Sequence, residues 1–118
     1  MKQGRSTTTP TAAQAHRFAL IKEIGCICCW IKGVPRVPAE IHHLTVGGKH
    51  GQKRRGHDYT IGLCQWHHRG VKPYPGCQLS FGLGPSYADE PRRFRADFGS
   101  DDELLDFQNQ VIEIAEAA

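Results

Sequence analysis

Two pairs of metal-type side chains, each with two residues between its members, constrain the fold of this chain more than any other feature. Cys26-x2-Cys29 and Cys64-x2-His67 offer four ligands of the kind that a closed, tetrahedral zinc site uses. The x2 spacing lets both side chains of a pair face one ion. The long stretch between the pairs leaves room for an inserted β-hairpin. The sequence therefore predicts a structural Zn2+ bound by Cys26, Cys29, Cys64 and His67.

Two further cysteines leave alternatives to this ligand set. Cys28 offers another register with Cys26 or Cys29, and Cys77 could replace His67. The plain alternative to any metal is that the cysteines are ordinary buried thiols, which pack as small hydrophobic groups. Two x2 pairs in one short chain favour zinc over that alternative.

The composition also favours a metal over disulfide bonds. Only 39% of the 118 residues are hydrophobic, and 13 glycines and 7 prolines indicate much loop, so the lean core needs a staple. Five cysteines are an odd number for a disulfide framework. No apolar run approaches the roughly 20 residues of a membrane span, and the polar start lacks a signal-peptide pattern. We expect a cytoplasmic protein with reduced thiols.

The pattern of apolar and turn residues predicts an α+β domain in which a β-hairpin and a short helix are flanked by N- and C-terminal helices. Residues 1–9 are predicted to form a flexible polar tail, and residues 10–118 a single zinc-stapled domain with its core at about 26–70. The predicted strands are 40–44 and 59–63, and the predicted helices are 10–24, 64–69, 87–98 and 100–118. Ser100 and Glu103 form a capping box at the start of the last helix.

Charge is distributed unevenly along the chain. Residues 1–75 carry 12 basic and three acidic side chains, whereas residues 76–118 carry three basic and nine acidic ones. A basic half that also holds the metal-type residues suits a polyanionic substrate. The plain alternative is a solvated charged surface. The candidate phosphate contacts are Lys53, Arg54, Arg55 and Arg69.

Three histidines next to the zinc half-sites form a second constellation. His42 and His43 are neighbours on a predicted strand, so their side chains point to opposite faces. His68 follows the zinc ligand His67 and lies about 100° around the helix from it. His42 and His68 can therefore hold a second, divalent ion, which leaves His43 as the general base. The alternative for each one alone is a structural histidine, the reading we prefer for His16 and His50.

These residues resemble the HNH (ββα-metal, His-Me finger) endonucleases. The runs Glu40-Ile-His-His-Leu44 and Leu63-Cys-x2-His-His68 follow the zinc-bound form of that superfamily. Within it, the chain is similar to the bacteriophage recombination-enhancement (Ref-like) nucleases over roughly residues 20–105. That similarity rests on Gly47-Gly48, His57-Asp-Tyr-Thr-Ile61 and Leu63-Cys-Gln-Trp-His-His-Arg-Gly70, and more weakly on 94–105.

The resemblance implies a DNA endonuclease that depends on a divalent metal, with structural Zn2+ and catalytic Mg2+ or Mn2+, although zinc could occupy the catalytic site. It assigns metal binding to His42 and His68 and the general base to His43. The middle Asn of the HNH motif is absent. Tyr59 lies near its place, and His57 just before it is expected to orient a group or bind phosphate.

The resemblance further implies a phage-derived protein that acts in recombination or DNA processing, in the cytoplasm of the host cell. DNA, including DNA coated with RecA, is the implied partner. The short tail contributes only Lys2 and Arg5 where a long basic arm would aid DNA binding, which leaves RecA dependence open. The alternative function is a zinc-stapled nucleic-acid-binding module without catalysis, which has no need of His43.

Overall fold

The computed structural model describes residues 8–46, 53–72 and 82–117. Within those ranges the elements run helix, helix, strand, strand and three helices along the chain. They are α1 (Ala12–Ile24), α2 (Ile27–Ile31), β1 (Glu40–His43), β2 (Thr60–Leu63), α3 (Gln65–Arg69), α4 (Pro91–Phe98) and α5 (Asp101–Ala117). The predicted α+β fold, a hairpin and short helix flanked by N- and C-terminal helices, is confirmed.

Helix α1 begins two residues later than predicted, because a capping box fixes its first turn. The Thr11 hydroxyl accepts a hydrogen bond from the backbone N–H of Gln14 (3.1 Å), and the Thr11 N–H donates to the Gln14 side chain (2.9 Å). At the other end, Gly25 has φ +89°. A Cβ atom there would lie 2.6 Å from the Val37 carbonyl oxygen, so only glycine fits where the chain turns into α2.

Strands β1 and β2 form an antiparallel hairpin that carries the site residues. His42 pairs with Ile61 and His43 with Thr60. Every residue of β2 is buried, because α1 and α5 pack against it. Gly62 permits this approach, since a Cβ atom there would lie 2.6 Å from the Ile21 side chain. The predicted strands were one residue too long, at Leu44 and Tyr59, which are still joined by a 2.9 Å hydrogen bond.

The two C-terminal helices close the core over the zinc half-sites. The predicted start of α4 at residue 87 is wrong: the helix begins at Pro91, because proline disfavours helical geometry at the residue before it. Helix α5 begins after Ser100, within the predicted Ser100–Glu103 capping box, whose two hydrogen bonds measure 2.8 and 3.1 Å. Its buried side chains are Leu104, Gln108, Val111 and Ile112. None of the helices in the described ranges has the length and apolar character needed to cross a bilayer.

Candidate metal centre and histidine pairs

Both zinc half-sites are built in the same way, at the N-terminus of a short helix. Cys26 is the N-cap of α2, and its Sγ accepts a hydrogen bond from the Cys29 N–H at 3.4 Å. Cys64 is the N-cap of α3 and accepts in the same way from the His67 N–H, also at 3.4 Å. The cap turns each x2 pair so that both of its side chains point to one place.

The four predicted zinc ligands converge on one point. Their ligand atoms all lie within 4.8 Å of one another. The Cys29 and Cys64 sulfurs are 3.8 Å apart, and His67 Nδ1 lies 3.3–3.5 Å from the sulfurs of Cys26, Cys29 and Cys64. With Zn–S about 2.3 Å and Zn–N about 2.1 Å, a tetrahedral site has edges of about 3.6–3.8 Å. The donor set therefore fits a zinc ion, and these four residues would hold it.

Burial and charge inside this cluster also suit a metal. All four side chains are buried. Burial opposes a charge on His67, but hydrogen bonds with Cys26 and Cys64 outweigh it and raise the His67 pKa to about 10. A metal would replace the protons that this imidazole and the sulfurs share. The other ring nitrogen, Nε2, donates to the Leu83 carbonyl at 2.7 Å, which leaves Nδ1 to face the sulfurs.

The structure chooses among the alternative ligand sets within the described residues. Cys28 is buried but lies outside the four-membered cluster. Burial raises its pKa, so it stays a thiol, whereas the hydrogen bond from Cys28 and those from neighbouring thiols hold the Cys26 pKa well below its usual range. The cluster thus uses Cys26 and Cys29. Cys77 and His50 lie outside the described residues.

His42 and His68 meet beside this cluster. His42 Nδ1 lies 3.1 Å from His68 Nε2, and the ring centroids are 4.8 Å apart. His42 is 9% exposed and also packs against Tyr87, while the His68 side chain is 23% exposed. The pair therefore lies at the edge of the core, where two ring nitrogens face each other within reach of solvent.

Glu40 and Arg69 hold His68 in place. His68 Nδ1 donates to a Glu40 carboxylate oxygen at 2.8 Å. Arg69 donates two hydrogen bonds to the same carboxylate, at 3.0 and 2.6 Å, and these lower the Glu40 pKa, so that it remains an acceptor. Because Nδ1 of His68 carries the proton, Nε2 presents its lone pair to His42. Glu40 was not among the site residues predicted from the sequence. Strand alternation nevertheless places it on the same face as His42, which follows it by two residues in β1.

His43 and His57 form a second imidazole pair with different neighbours. His43 Nε2 lies 3.0 Å from His57 Nδ1, and the Phe18 ring contacts both imidazoles edge-on, at centroid distances of 6.1 and 5.5 Å. Burial, with the positive charge of Arg54 and the nearby His57, lowers the His43 pKa to about 4. His43 is therefore neutral near neutral pH and can accept a proton.

The four basic side chains proposed as phosphate contacts differ in their surroundings. Arg69 is paired with Glu40, and Arg55 donates to Asp102 at 2.9 Å while its guanidinium lies over the Tyr59 ring. Lys53 and Arg54 are exposed. Of the four, Arg54 is the one whose charge acts on His43.

Comparison with known proteins gives a family match over most of the chain. A family model described as recombination enhancement, RecA-dependent nuclease matches residues 10–113. The matched span contains the whole cysteine–histidine cluster and both imidazole pairs. A search of curated proteins finds no match to the chain.

Proposed function

Since the chain belongs to the family of recombination-enhancement, RecA-dependent nucleases, we propose that it is an HNH-type endonuclease that hydrolyses DNA phosphodiester bonds with a divalent metal. The observation that carries this proposal is the presence of two imidazole pairs, His42–His68 and His43–His57, on one hairpin-and-helix unit. The cysteine–histidine cluster has a structural role, because all of its ligands are buried.

His42 and His68 are proposed to hold the catalytic ion. Their 3.1 Å nitrogen separation is close to the edge of about 3.0 Å expected for two cis ligands at about 2.1 Å from an ion. The hydrogen bonds that join Arg69 to Glu40 and Glu40 to His68 support this role. A carboxylate that orients a ligating imidazole is a usual partner in metal sites. A divalent ion bound there would stabilise the negative charge on the phosphate and on the leaving oxygen. Imidazole ligands accept several metals, and we propose Mg2+ or Mn2+.

His43 is proposed as the general base. In this role its imidazole removes a proton from a water molecule, the water oxygen forms a bond to phosphorus, and the bond from phosphorus to the leaving sugar oxygen breaks. The lowered pKa of His43 keeps the ring unprotonated at neutral pH, and a bound phosphate anion would raise that pKa towards the working pH. The imidazole of His57 lies against this base, with its Nδ1 atom 3.0 Å from His43 Nε2.

The basic side chains are proposed to bind the DNA backbone. Arg54 is the first candidate, because it is exposed and its charge reaches His43. Lys53 is also exposed, while Arg55 and Arg69 would have to share their existing carboxylate partners with a phosphate. Contacts of this kind read the backbone, so we expect little sequence specificity. We further propose that cleavage depends on RecA, because the family model is described as a RecA-dependent nuclease.

A nicking assay tests the proposal. The parent protein, His43→Ala and the control His16→Ala are incubated with closed circular plasmid and with single-stranded DNA, the latter both naked and coated with RecA. Each reaction is run with Mg2+ or Mn2+ and with a chelator. His16 is exposed and pairs with Glu116 on the opposite end of the chain, so its loss should have little effect. We expect His43→Ala to lower the nicking rate by about 10²- to 10⁴-fold, with zinc content unchanged.

The outcomes of this assay separate the alternatives. Metal-dependent nicking by the parent and the control, but not by His43→Ala, supports the nuclease. DNA binding of equal strength by all three proteins, without nicking on either substrate, would instead identify a zinc-stapled nucleic-acid-binding module. Cleavage only of the RecA-coated strand would establish RecA dependence, and equal cleavage of naked DNA would refute it.

A further inference from the structure

The backbone carbonyl of Thr8 fixes which nitrogen of His57 carries a proton. His57 Nε2 lies 2.6 Å from that oxygen. A carbonyl oxygen can only accept a hydrogen bond, so Nε2 must be the donor. A neutral imidazole carries one N–H, which leaves the Nδ1 atom of His57 as an acceptor.

The same count of donors and acceptors then determines which nitrogen of His43 carries a proton. Its Nε2 atom lies 3.0 Å from His57 Nδ1. Because that Nδ1 is an acceptor, His43 Nε2 must carry the hydrogen, and the lone pair of His43 is on Nδ1. We propose that His57 is a positioning residue that, anchored by the Thr8 carbonyl, holds His43 in the tautomer whose Nδ1 accepts the proton from water. This inference rests on the proposed function for the role of that nitrogen, but not for the tautomer itself.

Neighbouring contacts hold in place the series of hydrogen bonds from the Thr8 carbonyl through His57 to His43, which we call the relay. The His57 carbonyl accepts a hydrogen bond from the Thr60 hydroxyl at 3.0 Å. Arg17 on α1 in turn donates to the Thr60 hydroxyl and carbonyl, at 3.0 and 2.6 Å. Phe18, the next residue on α1, contacts both imidazole rings. One helix thus fixes the backbone that carries His57 and also packs against the two rings.

The tautomer matters because it decides where the proton can go. An imidazole in the opposite tautomer would present an N–H at Nδ1 and could not accept a proton there. In the proposed step, a proton of the attacking water moves to His43 Nδ1 as the water oxygen forms a bond to phosphorus. The bond from phosphorus to the leaving sugar oxygen breaks, and that oxygen takes a proton from solvent water. His57 touches none of these reacting atoms and acts only through His43.

Nuclear magnetic resonance tests the relay without any substrate. Long-range proton–nitrogen correlation spectra of the zinc-loaded, 15N-labelled protein distinguish the two neutral tautomers, at a pH near 8, above the ordinary histidine pKa of ~6.5. The His43 and His57 signals are identified by their loss in single variants. We expect both rings to be protonated at Nε2 and unprotonated at Nδ1. A His43 ring protonated at Nδ1 would overturn the proposal.

Substitutions at His57 test its effect on catalysis. His57→Asn places an amide oxygen near the position of Nδ1 and keeps an acceptor, whereas His57→Leu removes it. We expect His57→Leu to mix the His43 tautomers and to lower nicking by about 10- to 100-fold, and His57→Asn to stay within about threefold of the parent. His16→Leu is the matched control, because His16 is exposed and pairs with Glu116, and it should leave both readouts unchanged.

The His43 tautomer and the nicking rate test the relay and the nuclease proposal separately. Equal nicking and an unchanged His43 tautomer in His57→Leu would refute the relay. If that variant loses zinc, the tautomer of the parent protein still decides the result. An inactive parent with the expected tautomers would refute the nuclease and retain the hydrogen-bond relay.

Discussion

His67 and His68 are neighbours on one short helix but belong to sites of opposite character. His67 is fully buried, with Nδ1 turned to three sulfurs and Nε2 bonded to the Leu83 carbonyl. His68 is 23% exposed at its side chain, with Nδ1 bonded to Glu40 and Nε2 turned to His42. Both imidazoles therefore have one nitrogen fixed by an acceptor, while the other faces the sulfurs in His67 and His42 in His68.

The difference between the two positions lies in what surrounds the remaining nitrogen. Around His67 the protein supplies a complete donor set and excludes water, which is typical of a structural zinc site. Around His68 the structure brings a pair of ring nitrogens together at the edge of the core. A metal with two protein ligands keeps positions open for water and phosphate. On the proposed assignment, neighbouring residues of α3 thus belong to a stabilising site and to a reactive one.

The buried cluster of Cys26, Cys29, Cys64 and His67 is the closed site. Removal of one of its ligands should have the largest effect on stability. Cys64→Ser replaces a thiolate by a poor zinc ligand and also weakens the cap of α3. We expect the variant to lose zinc and at least about 4 kcal/mol of stability, which is a large fraction of the roughly 5–15 kcal/mol of an ordinary domain. Metal content per chain and urea unfolding followed by circular dichroism measure both effects.

Cys28→Ser is the matched control for that experiment, because Cys28 is equally buried but lies outside the cluster. It should keep one zinc per chain and lose only about 1–2 kcal/mol, the cost of burying a hydroxyl. If both variants lose zinc to the same extent, the assignment of the ligands to Cys26 and Cys29 is wrong.

The proposed metal position between His42 and His68 is the open site. A change at Glu40 should weaken metal binding there without disturbing the closed site. Glu40→Gln keeps the shape of the side chain but removes the charge that orients His68 and pairs with Arg69. We expect the affinity for Mn2+ to fall by about 10- to 100-fold, as for other partners of metal-bound histidines. Titration of the zinc-loaded protein with Mn2+, followed by electron paramagnetic resonance, measures this affinity. Glu23→Gln, on the exposed face of α1, is the control, and an equal affinity in the two variants would contradict a role for Glu40.

The smallest effect concerns the dependence of stability on pH. The His43 pKa is lowered from its ordinary 6.5 to about 4, chiefly by burial. Between these values the unfolded chain binds a proton that the folded chain does not, so stability is lost as the pH falls from about 6.5 to about 4. Because the ring is only half-buried, solvent screening limits the loss to about 1 kcal/mol.

Urea unfolding of the parent and of His43→Asn, at about pH 7 and about pH 5, isolates this contribution. The zinc ligands also take up protons at low pH, but they do so equally in both proteins. The variant should therefore lose about 0.5 kcal/mol less than the parent between the two conditions, because pH 5 lies only about halfway through the range in which this stability is lost. Equal losses would show that burial does not perturb His43.

The features that the sequence predicted correctly depend on spacing along the chain. The x2 pairs, the alternation of His42 and His43, and the Ser100–Glu103 cap are all local patterns, and each has a fixed geometric consequence on a helix or strand. The similarity to the Ref-like nucleases rested on the same local runs and is confirmed by the family match over residues 10–113.

The features that sequence reasoning missed depend on contacts between distant segments. The Glu40–His68 hydrogen bond and the His57–Thr8 contact each join residues far apart in the chain. The preference for Cys26 and Cys29 over Cys28 likewise depends on which sulfurs face Cys64 and His67 across the core. Strand register and the approach of α1 to β2 decide these contacts, and neither follows from a short motif. The Thr11 cap was a local signal that we overlooked in favour of Pro10.

The most direct test of a closed and an open metal site on one short helix is a crystal structure of the zinc-loaded protein soaked in Mn2+, with anomalous maps for both elements. We expect zinc among Cys26, Cys29, Cys64 and His67, and a separate manganese peak between His42 Nδ1 and His68 Nε2. Manganese bound elsewhere, or absent from the His42–His68 pair in crystals of a protein that nicks DNA with Mn2+, would contradict it.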